Sequence, residues 1–196
     1  MNGGRITSEE KSTLSTYIGV AIAVVLTTGA LYFFFLAQQE KKETRGYDPN
    51  RPVPSDAVLK HRLKTEEYFV VRQGGTQTPF QNEFWNNERT GIYVDVITGE
   101  PLFTSLDKFD SGLGMPAFSK PISKDLLAEN LDTSNNMQRT EVRAKRSNAH
   151  LGHLFPDPKS STGQRYSVNS AAFHFIPTER MKDEGYEAFL SLVEKK

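Results

Sequence analysis

The sequence predicts a mainly antiparallel β domain framed by helices and attached to one N-terminal transmembrane α-helix. Three features of the 196 residues lead to this prediction. An uncharged apolar run covers residues 17–37, short runs rich in β-branched and aromatic residues follow between turn signals, and helical patterns flank that β-rich part. The residues after Ser55 suffice for one compact domain with its own core.

The apolar run, YIGVAIAVVLTTGALYFFFLA, predicts a membrane-spanning helix over residues 17–37. At about 1.5 Å per residue, a helix of this length spans roughly 30 Å, the thickness of the hydrocarbon core of a bilayer. A buried core helix rarely runs so far without a polar face. A cleaved signal peptide would have a shorter apolar core and a small-residue cleavage site.

The flanks of this run predict how the chain is organised. Residues 1–16 form a polar tail, and the charged, proline-rich residues 38–55 are predicted to be a semi-rigid linker to a domain over residues 56–196. Basic residues are fewer before the run than after it: Arg5 and Lys11 against Lys41, Lys42, Arg45 and Arg51. The positive-inside rule therefore places the C-terminal domain on the positive-inside face of the membrane.

The first elements of the domain are predicted to be a helix and then a strand. Ser55 or Asp56 can cap a helix that reaches roughly Glu67, because both side chains accept hydrogen bonds from free amides of a first turn. Residues 68–72 are rich in β-forming side chains and end at two glycines, which predicts a strand.

The next segment, GIYVDVITGEPLF over residues 91–103, has the alternation of a strand. Ile92, Val94 and Val96 are predicted to face one way, and Tyr93 and Asp95 the other. A turn is predicted over residues 98–101, which contain glycine and proline.

Two further strands are predicted over residues 140–144 and 166–176, separated by a loop over residues 156–164. Residues 179–194 carry apolar side chains at near-helical spacing, with Gly185 as an interruption.

Composition excludes several classes of function. Lys and Arg together number 24, as do Asp and Glu, so the chain has no net charge that would attract nucleic acid. The chain has no cysteine, which excludes disulfides, thiolate metal sites, iron–sulfur clusters and thiol redox catalysis. No cofactor is expected.

Three long strings carry a resemblance to a known family: PFQNEFWNNERTGIYVDVITGEPLFTSLDKFDSG, RTEVRAKRSNAHLGHLFPD and TGQRYSVNSAAFHFIP. They resemble the methionine-R-sulfoxide reductases, the SelR-type domain, in order and spacing from about Asp56 to Leu192. The resemblance implies a pair of antiparallel sheets with small peripheral helices. It also implies peptide-methionine (R)-S-oxide reductase chemistry, in which a thiolate attacks the sulfoxide sulfur and becomes a sulfenic acid that a second thiol reduces.

Two departures from the family pattern lie at its catalytic centre. Ser167 stands where the family has cysteine or selenocysteine, and Met115 replaces a tryptophan that packs against the methyl group of the substrate. Leu113 stands where many members have a polar residue or cysteine. Other positions match the substrate-side polar residues of the family, namely His150, His153, Asp157, Arg165 and Asn169. The sequence therefore predicts a degenerate site without catalytic residues.

The resemblance also bears on metal binding. Four positions that hold zinc in one subclass of the family are Asp95, Thr98, Ala144 and Ser147 in this chain. These four residues cannot form a structural zinc site, and metal-free subclasses of the family dispense with it.

Two other interpretations involve the histidines of HLGH, residues 150–153. The two imidazoles could share a metal ion with Asp157 as a third ligand, or either could act as a base for Ser167 in a hydrolase. The resemblance places both histidines at the family's pocket and favours hydrogen bonds to water or backbone over a metal ion, and no nucleophile-elbow pattern surrounds Ser167.

The predicted function is that of a catalytically inactive, single-pass membrane protein, acting as a structural accessory subunit of a larger membrane complex. Its partners are then other subunits of that complex and, through residues 17–37, the lipid bilayer. One helix joined to a recycled enzyme domain is an architecture typical of accessory subunits of organellar respiratory-chain complexes, which predicts the mitochondrial inner membrane by analogy alone. The alternatives are a tethered module that binds oxidised methionine without turnover, and an active reductase if Ser167 is not the native residue.

Overall fold

The computed structural model describes residues 17–18, 20–34 and 46–194. The chain divides into two units, Met1–Arg45 and Gly46–Lys196. Residues 17–18 and 20–34 of the first unit are helical. None of the helices formed by the described residues combines the length and the hydropathy needed to span a bilayer.

The predicted tail, residues 1–16, lies outside the described residues, as do residue 19 and residues 35–45. The predicted anchor over residues 17–37 is therefore described only in part and stays a prediction.

The second unit has two short helices where one helix and a strand were predicted. They are α1, Asp56–Arg62, and α2, Thr65–Gln73. Leu63 and Lys64 between them have extended backbones. The predicted strand over residues 68–72 is wrong because Val70 and Val71 are fully buried on the inner side of α2, and this packing overrides their preference for strands.

The caps of these helices also differ from the prediction. Ser55 is the N-cap of α1, but its side chain makes no capping hydrogen bond. Asp56 instead accepts a hydrogen bond from the Tyr68 hydroxyl at 2.8 Å. At the start of α2, the Lys64 N–H donates to the Glu67 carboxylate at 2.9 Å.

The described part of the chain forms two antiparallel sheets, as predicted. Their strands are β1 (Gly91–Asp95), β2 (Pro101–Thr104), β3 (Lys108–Phe109), β4 (Ala117–Phe118), β5 (Leu127–Asp132), β6 (Arg139–Ala144), β7 (His150–Pro156), β8 (Gln164–Val168) and β9 (Phe173–Pro177). The three-stranded sheet has the order β2-β1-β9, and the six-stranded sheet has the order β3-β4-β8-β7-β6-β5.

The main core joins one face of each sheet. It includes Tyr93 and Phe103 from the three-stranded sheet and Val142, Leu151 and Tyr166 from the six-stranded sheet, all fully or almost fully buried. Aromatic packing is dense there, because the ring centroids of Phe103 and Tyr166 lie 5.8 Å apart across the two sheets.

The other face of the three-stranded sheet supports a second, smaller cluster. Its members are Ile92, Val94, Ile176, Met181, Tyr186 and Val193. The predicted alternation of β1 is confirmed for Ile92, Val94 and Tyr93, but Val96 lies in the main core. The strand ends at Asp95, and the turn places the Val96 N–H 3.0 Å from the Ala172 carbonyl.

The strand predicted over residues 166–176 is two strands, β8 and β9, which belong to different sheets. A 3-10 turn, Ser170–Ala172, carries the chain from one sheet to the other. The C-terminal helical pattern is likewise divided into α3, Thr178–Met181, and a 3-10 segment, Glu187–Leu192. Gly185 interrupts it as predicted, with φ of +80°.

Candidate functional site

The predicted site residues meet on one face of the six-stranded sheet. In the antiparallel registers, Glu141 of β6 lies opposite His153 of β7, and His153 lies opposite Ser167 of β8. Ser167 in turn lies opposite Ala117 of β4. Side chains that lie directly opposite each other in a sheet share a face, so this row forms the centre of what we call the polar face.

Ser167 is half-buried on the polar face. Strand β7 approaches β8 closely at this point, because a Cβ atom added to Gly152 would lie 2.1 Å from the Ser167 carbonyl oxygen. Both histidines direct a ring nitrogen to a carboxylate, and no hydrogen bond joins either imidazole to the Ser167 hydroxyl among the described residues. The structure therefore does not form the serine–histidine pair that a hydrolase needs.

His150 belongs to a group of three ionisable side chains. Its Nδ1 lies 2.7 Å from Glu141 Oε1, which also accepts a hydrogen bond from Arg143 Nη1 at 2.7 Å. The imidazole is buried, and its Nε2 has no hydrogen-bond partner among the described residues. Burial lowers the pKa of His150, and the Glu141 carboxylate opposes this effect only in part. Protonation would leave a charged N–H of Nε2 buried without an acceptor.

His153 belongs to a second group of the same composition. Its Nε2 lies 2.7 Å from Asp132 Oδ2, which also accepts from Arg139 Nη2 at 2.7 Å. Hydrogen bonds from the side chain and backbone of Ser134, and then from His153, hold the pKa of Asp132 well below its usual range. The rings of His150 and His153 meet edge to face with centroids 5.5 Å apart.

The remaining matched polar residues are also engaged within the domain. Arg165 Nε donates to Asp157 Oδ2 at 2.7 Å, and the guanidinium lies 4.9 Å from the centre of the Phe155 ring. The buried Asn169 accepts from the Gln77 N–H at 2.8 Å and donates to the Leu151 carbonyl at 3.1 Å. Asn169 therefore ties the segment after α2 to strand β7.

Met115 lies at the edge of the polar face, one residue before Pro116, whose carbonyl accepts from the Val168 N–H. It is half-buried, and its sulfur lies 3.6 Å from Nδ2 of the buried Asn82. Leu113 is 53% exposed nearby in sequence. Asn82 also donates to the Gly114 carbonyl at 2.8 Å, so the loop that carries Met115 is fixed to the segment before β1.

Sequence reasoning missed two carboxylates that pair with the histidines of the polar face, Asp132 and Glu141. A signal for Glu141 was present: in the string RTEVRA of β6, residues 139, 141 and 143 alternate with apolar Val142 and share a face. Asp132 gave no such signal, because β5 has no alternating pattern and was not predicted as a strand.

The four positions that would hold zinc lie on the turn after β1 and the turn after β6. Asp95 is fully buried and accepts from the Thr98 hydroxyl at 2.6 Å and from the Ile97 N–H at 3.1 Å. The donors present are one carboxylate, which is already engaged, and two hydroxyls, and the methyl group of Ala144 offers no donor. These residues do not fit a zinc ion, which prefers cysteine and histidine ligands.

No group of three or more His, Cys, Asp or Glu side chains is placed to hold a metal ion in the described ranges, 17–18, 20–34 and 46–194. The structure therefore does not support a metal shared by His150 and His153 with Asp157, which is paired with Arg165.

The fold and the polar face define a two-sheet antiparallel β domain with small peripheral helices. Residues 63–177 match the family model described as the SelR domain, and this match covers more than half of the chain. The protein belongs to the SelR family, which is a family of reductases of methionine-R-sulfoxide. The matched range is narrower than the resemblance from about residue 56 to residue 192 had suggested.

Proposed function

We propose that this SelR domain does not reduce methionine sulfoxide and serves as a structural accessory subunit of a larger membrane complex. The observation that carries the proposal is the absence of cysteine from the chain, in which the family resemblance puts Ser167 at the position of the nucleophile. A serine hydroxyl is far less acidic than a thiol, and its oxygen cannot take up the oxidation that passes to sulfur in the family reaction. No side chain in this chain supplies a thiol.

The polar face supports a structural role. Most of the matched polar groups have partners inside the domain: His150 with Glu141, His153 with Asp132, Arg165 with Asp157. These pairs join β5, β6, β7 and β8 to one another, so they have a role in the fold that needs no substrate. Ser167 belongs to none of these pairs, so they do not depend on the residue at that position.

The first test measures turnover of methionine-R-sulfoxide by the full chain in mild detergent, with dithiothreitol as the reductant. We expect no turnover above a heat-inactivated control, and stereospecific turnover of the unaltered chain would contradict the proposal. Ser167→Cys alone is expected to recover little activity, because Met115 does not provide the aromatic wall. Ser167→Cys combined with Met115→Trp is expected to recover more, and full activity of the single variant would show that the wall is dispensable.

The second test concerns the complex. Native electrophoresis of membranes extracted with mild detergent is expected to show this chain migrating with an assembly far larger than itself. An interface made of packed helices is not held by screened surface charges, so the assembly should resist moderate salt. Migration as a lone detergent-bound chain in several mild detergents would contradict the accessory-subunit role.

One observation favours a second candidate function, binding of oxidised methionine without turnover. The buried Nε2 of His150 has no partner among the described residues, and a bound polar group could satisfy it. Calorimetric titration with a peptide that contains methionine-R-sulfoxide tests this, with the reduced peptide as the control. Binding that His150→Phe abolishes supports the second candidate, and equal heats for both peptides exclude it.

A further inference from the structure

The two turns that zinc joins in one subclass of the family are joined in this chain by other contacts. We call them the first turn, residues 95–100, and the second turn, residues 144–149. The carboxylate of the buried Asp95 accepts hydrogen bonds from the Thr98 hydroxyl and the Ile97 N–H of the first turn. It also interacts with the Ser147 hydroxyl of the second turn. One carboxylate therefore lies at the centre of both turns.

A second connection comes from residues 46–51, which precede the family match. The Tyr47 hydroxyl donates to Glu100 Oε1 of the first turn at 2.6 Å, and Glu100 is 5% exposed. Arg146 of the second turn donates to the backbone carbonyls of Asp48, at 3.1 Å, and Arg51. The Arg146 guanidinium also lies 5.4 Å from the centre of the Tyr47 ring. This short segment thus contacts both turns at once.

The segment that follows the family match completes the arrangement. The Tyr186 hydroxyl donates to the Gly99 carbonyl of the first turn at 2.9 Å, and burial raises the pKa of Tyr186 to about 12. The Phe189 ring lies 6.4 Å from the Tyr47 ring. Gly46 approaches Gly185 so closely that a Cβ atom on Gly46 would lie 2.4 Å from the Gly185 carbonyl oxygen. Both flanking segments therefore pack on each other as well as on the turns.

We propose that residues 46–51 form a strap that, together with Asp95, holds the two turns in place of a metal ion. The strap then belongs to the folded domain, although it was predicted from sequence to be part of a linker. Gly46, where the second unit begins, therefore lies beside the first turn and not at α1. The role proposed for the strap does not depend on whether the domain has reductase activity, because none of the strap's contacts involves the polar face.

Hydrogen exchange of the full chain, followed by mass spectrometry of peptides, tests the strap. Arg146→Gln removes the contacts to both carbonyls and to the Tyr47 ring, and Tyr47→Phe removes only the hydroxyl bonded to Glu100. Amides of both turns and of residues 46–51 are expected to exchange about tenfold faster in Arg146→Gln, and less so in Tyr47→Phe. The Gly99 and Ala144 amides are the most informative, because they are bonded to Asp95 and Ala149 in the two turns.

Matched controls exist elsewhere in the domain. Tyr68→Phe removes a hydroxyl bonded to the Asp56 carboxylate at 2.8 Å, and Arg89→Gln removes a guanidinium that lies 5.6 Å from the Phe175 ring. Arg89→Gln is not expected to change exchange in either turn. Tyr68→Phe is expected to affect at most the second turn, because Asp56 also pairs with Arg72, which donates to the Ser147 carbonyl at 3.0 Å. If Arg146→Gln unfolds, Tyr47→Phe still tests the strap. The strap proposal is contradicted if amides exchange equally fast in Tyr47→Phe and in the unaltered chain and residues 46–51 are unprotected in both. Added Zn²⁺ is expected to leave amide exchange in the two turns unchanged. Slower exchange of both turns in the presence of zinc would contradict the proposal that the strap and Asp95 act in place of a metal ion.

Discussion

The polar face and the pair of turns are the two regions where our proposals assign this chain a departure from family members that carry a thiol and a zinc ion, and the two departures differ in kind. At the turns, Asp95, Tyr47 and Arg146 make contacts that we propose hold the chain in place of a metal ion. At the polar face, the chain has no thiol, and the ionisable pairs around Ser167 bond within the domain. A structural metal contributes to the free energy of folding, so its loss requires a substitute for the domain to fold. The loss of a reactive group abolishes the chemistry and does not by itself require one.

This comparison implies that side chains at the turns matter for stability and that the Ser167 side chain does not. Trp85 is the only tryptophan of the chain and packs edge to face on Phe80, with ring centroids 5.2 Å apart. Its fluorescence can therefore report urea unfolding of the domain in the full chain. The four predictions that follow run from the largest expected effect to the smallest.

The largest effect is expected from Gly152→Ala, which tests whether the polar face depends on close backbone packing. The new Cβ atom would lie 2.1 Å from the Ser167 carbonyl oxygen and 2.8 Å from the Val168 Cα atom. Because these are backbone atoms of a central strand, they cannot move aside cheaply, and we expect a loss of about 3 to 5 kcal/mol in the free energy of unfolding. The control is Gly163→Ala, where a Cβ atom meets nothing within 4 Å and only φ of +75° opposes the change. Equal losses in the two variants would contradict the argument.

The second effect tests the substitute for the metal. Asp95→Ala leaves the buried Thr98 hydroxyl and Ile97 N–H without their acceptor, which is expected to cost about 2 to 4 kcal/mol in urea unfolding. Burial raises the pKa of Asp95, so a neutral side chain of the same shape suits the site. Asp95→Asn is therefore expected to cost clearly less than Asp95→Ala. If Asp95→Ala costs no more than an exposed substitution such as Asp110→Ala, the carboxylate does not hold the turns.

The third effect is the pH dependence of stability at the polar face. Burial lowers the pKa of His150 below its ordinary value of 6.5, so the unfolded chain binds its proton more readily than the folded chain. Stability is then complete above pH 6.5 and is lost as the pH falls from 6.5 toward the lower pKa of the folded state. Urea unfolding between pH 7.5 and 5.5 should show a steeper loss in the unaltered chain than in His150→Gln. The exposed His61 and His174 are present in both and serve as internal controls; parallel pH profiles would contradict the buried, neutral state of His150.

The fold could be predicted from sequence where the local pattern and the packing agree. Strands β1 and β6 have alternating side chains, and the structure confirms both. Residues 68–72 have β-forming side chains but lie in α2, because the burial of Val70 and Val71 decides their conformation. Strand β5, with the sequence LAENLD, was missed because its exposed edge position imposes no alternation.

The polar face could be predicted residue by residue only through the family strings, and its pairing could not. The family strings match His150 and His153 to family positions. Their partners Glu141 and Asp132 depend on the register between strands, which the sequence of one strand does not reveal. The strap is still less predictable. Tyr47 and Glu100 are 53 positions apart, and Arg146 and Asp48 are 98 apart. Contacts between loops at such separations follow from the completed fold and leave no periodic pattern.

The smallest effect is expected at Ser167 itself, and it is the most direct test of the comparison. The side chain is half-buried, and no hydrogen bond joins its hydroxyl to His150 or His153 within the described residues, so Ser167→Ala should change the free energy of unfolding by less than about 0.5 kcal/mol. Ser167→Cys conserves the volume nearly as well and should be equally neutral. A loss of about 2 kcal/mol or more in Ser167→Ala would mean that the serine has a bonded role in the fold, comparable to that of Asp95 at the turns. Ser167 would then stabilise the fold, as we propose for the contacts at the turns, and the contrast between the two regions would disappear.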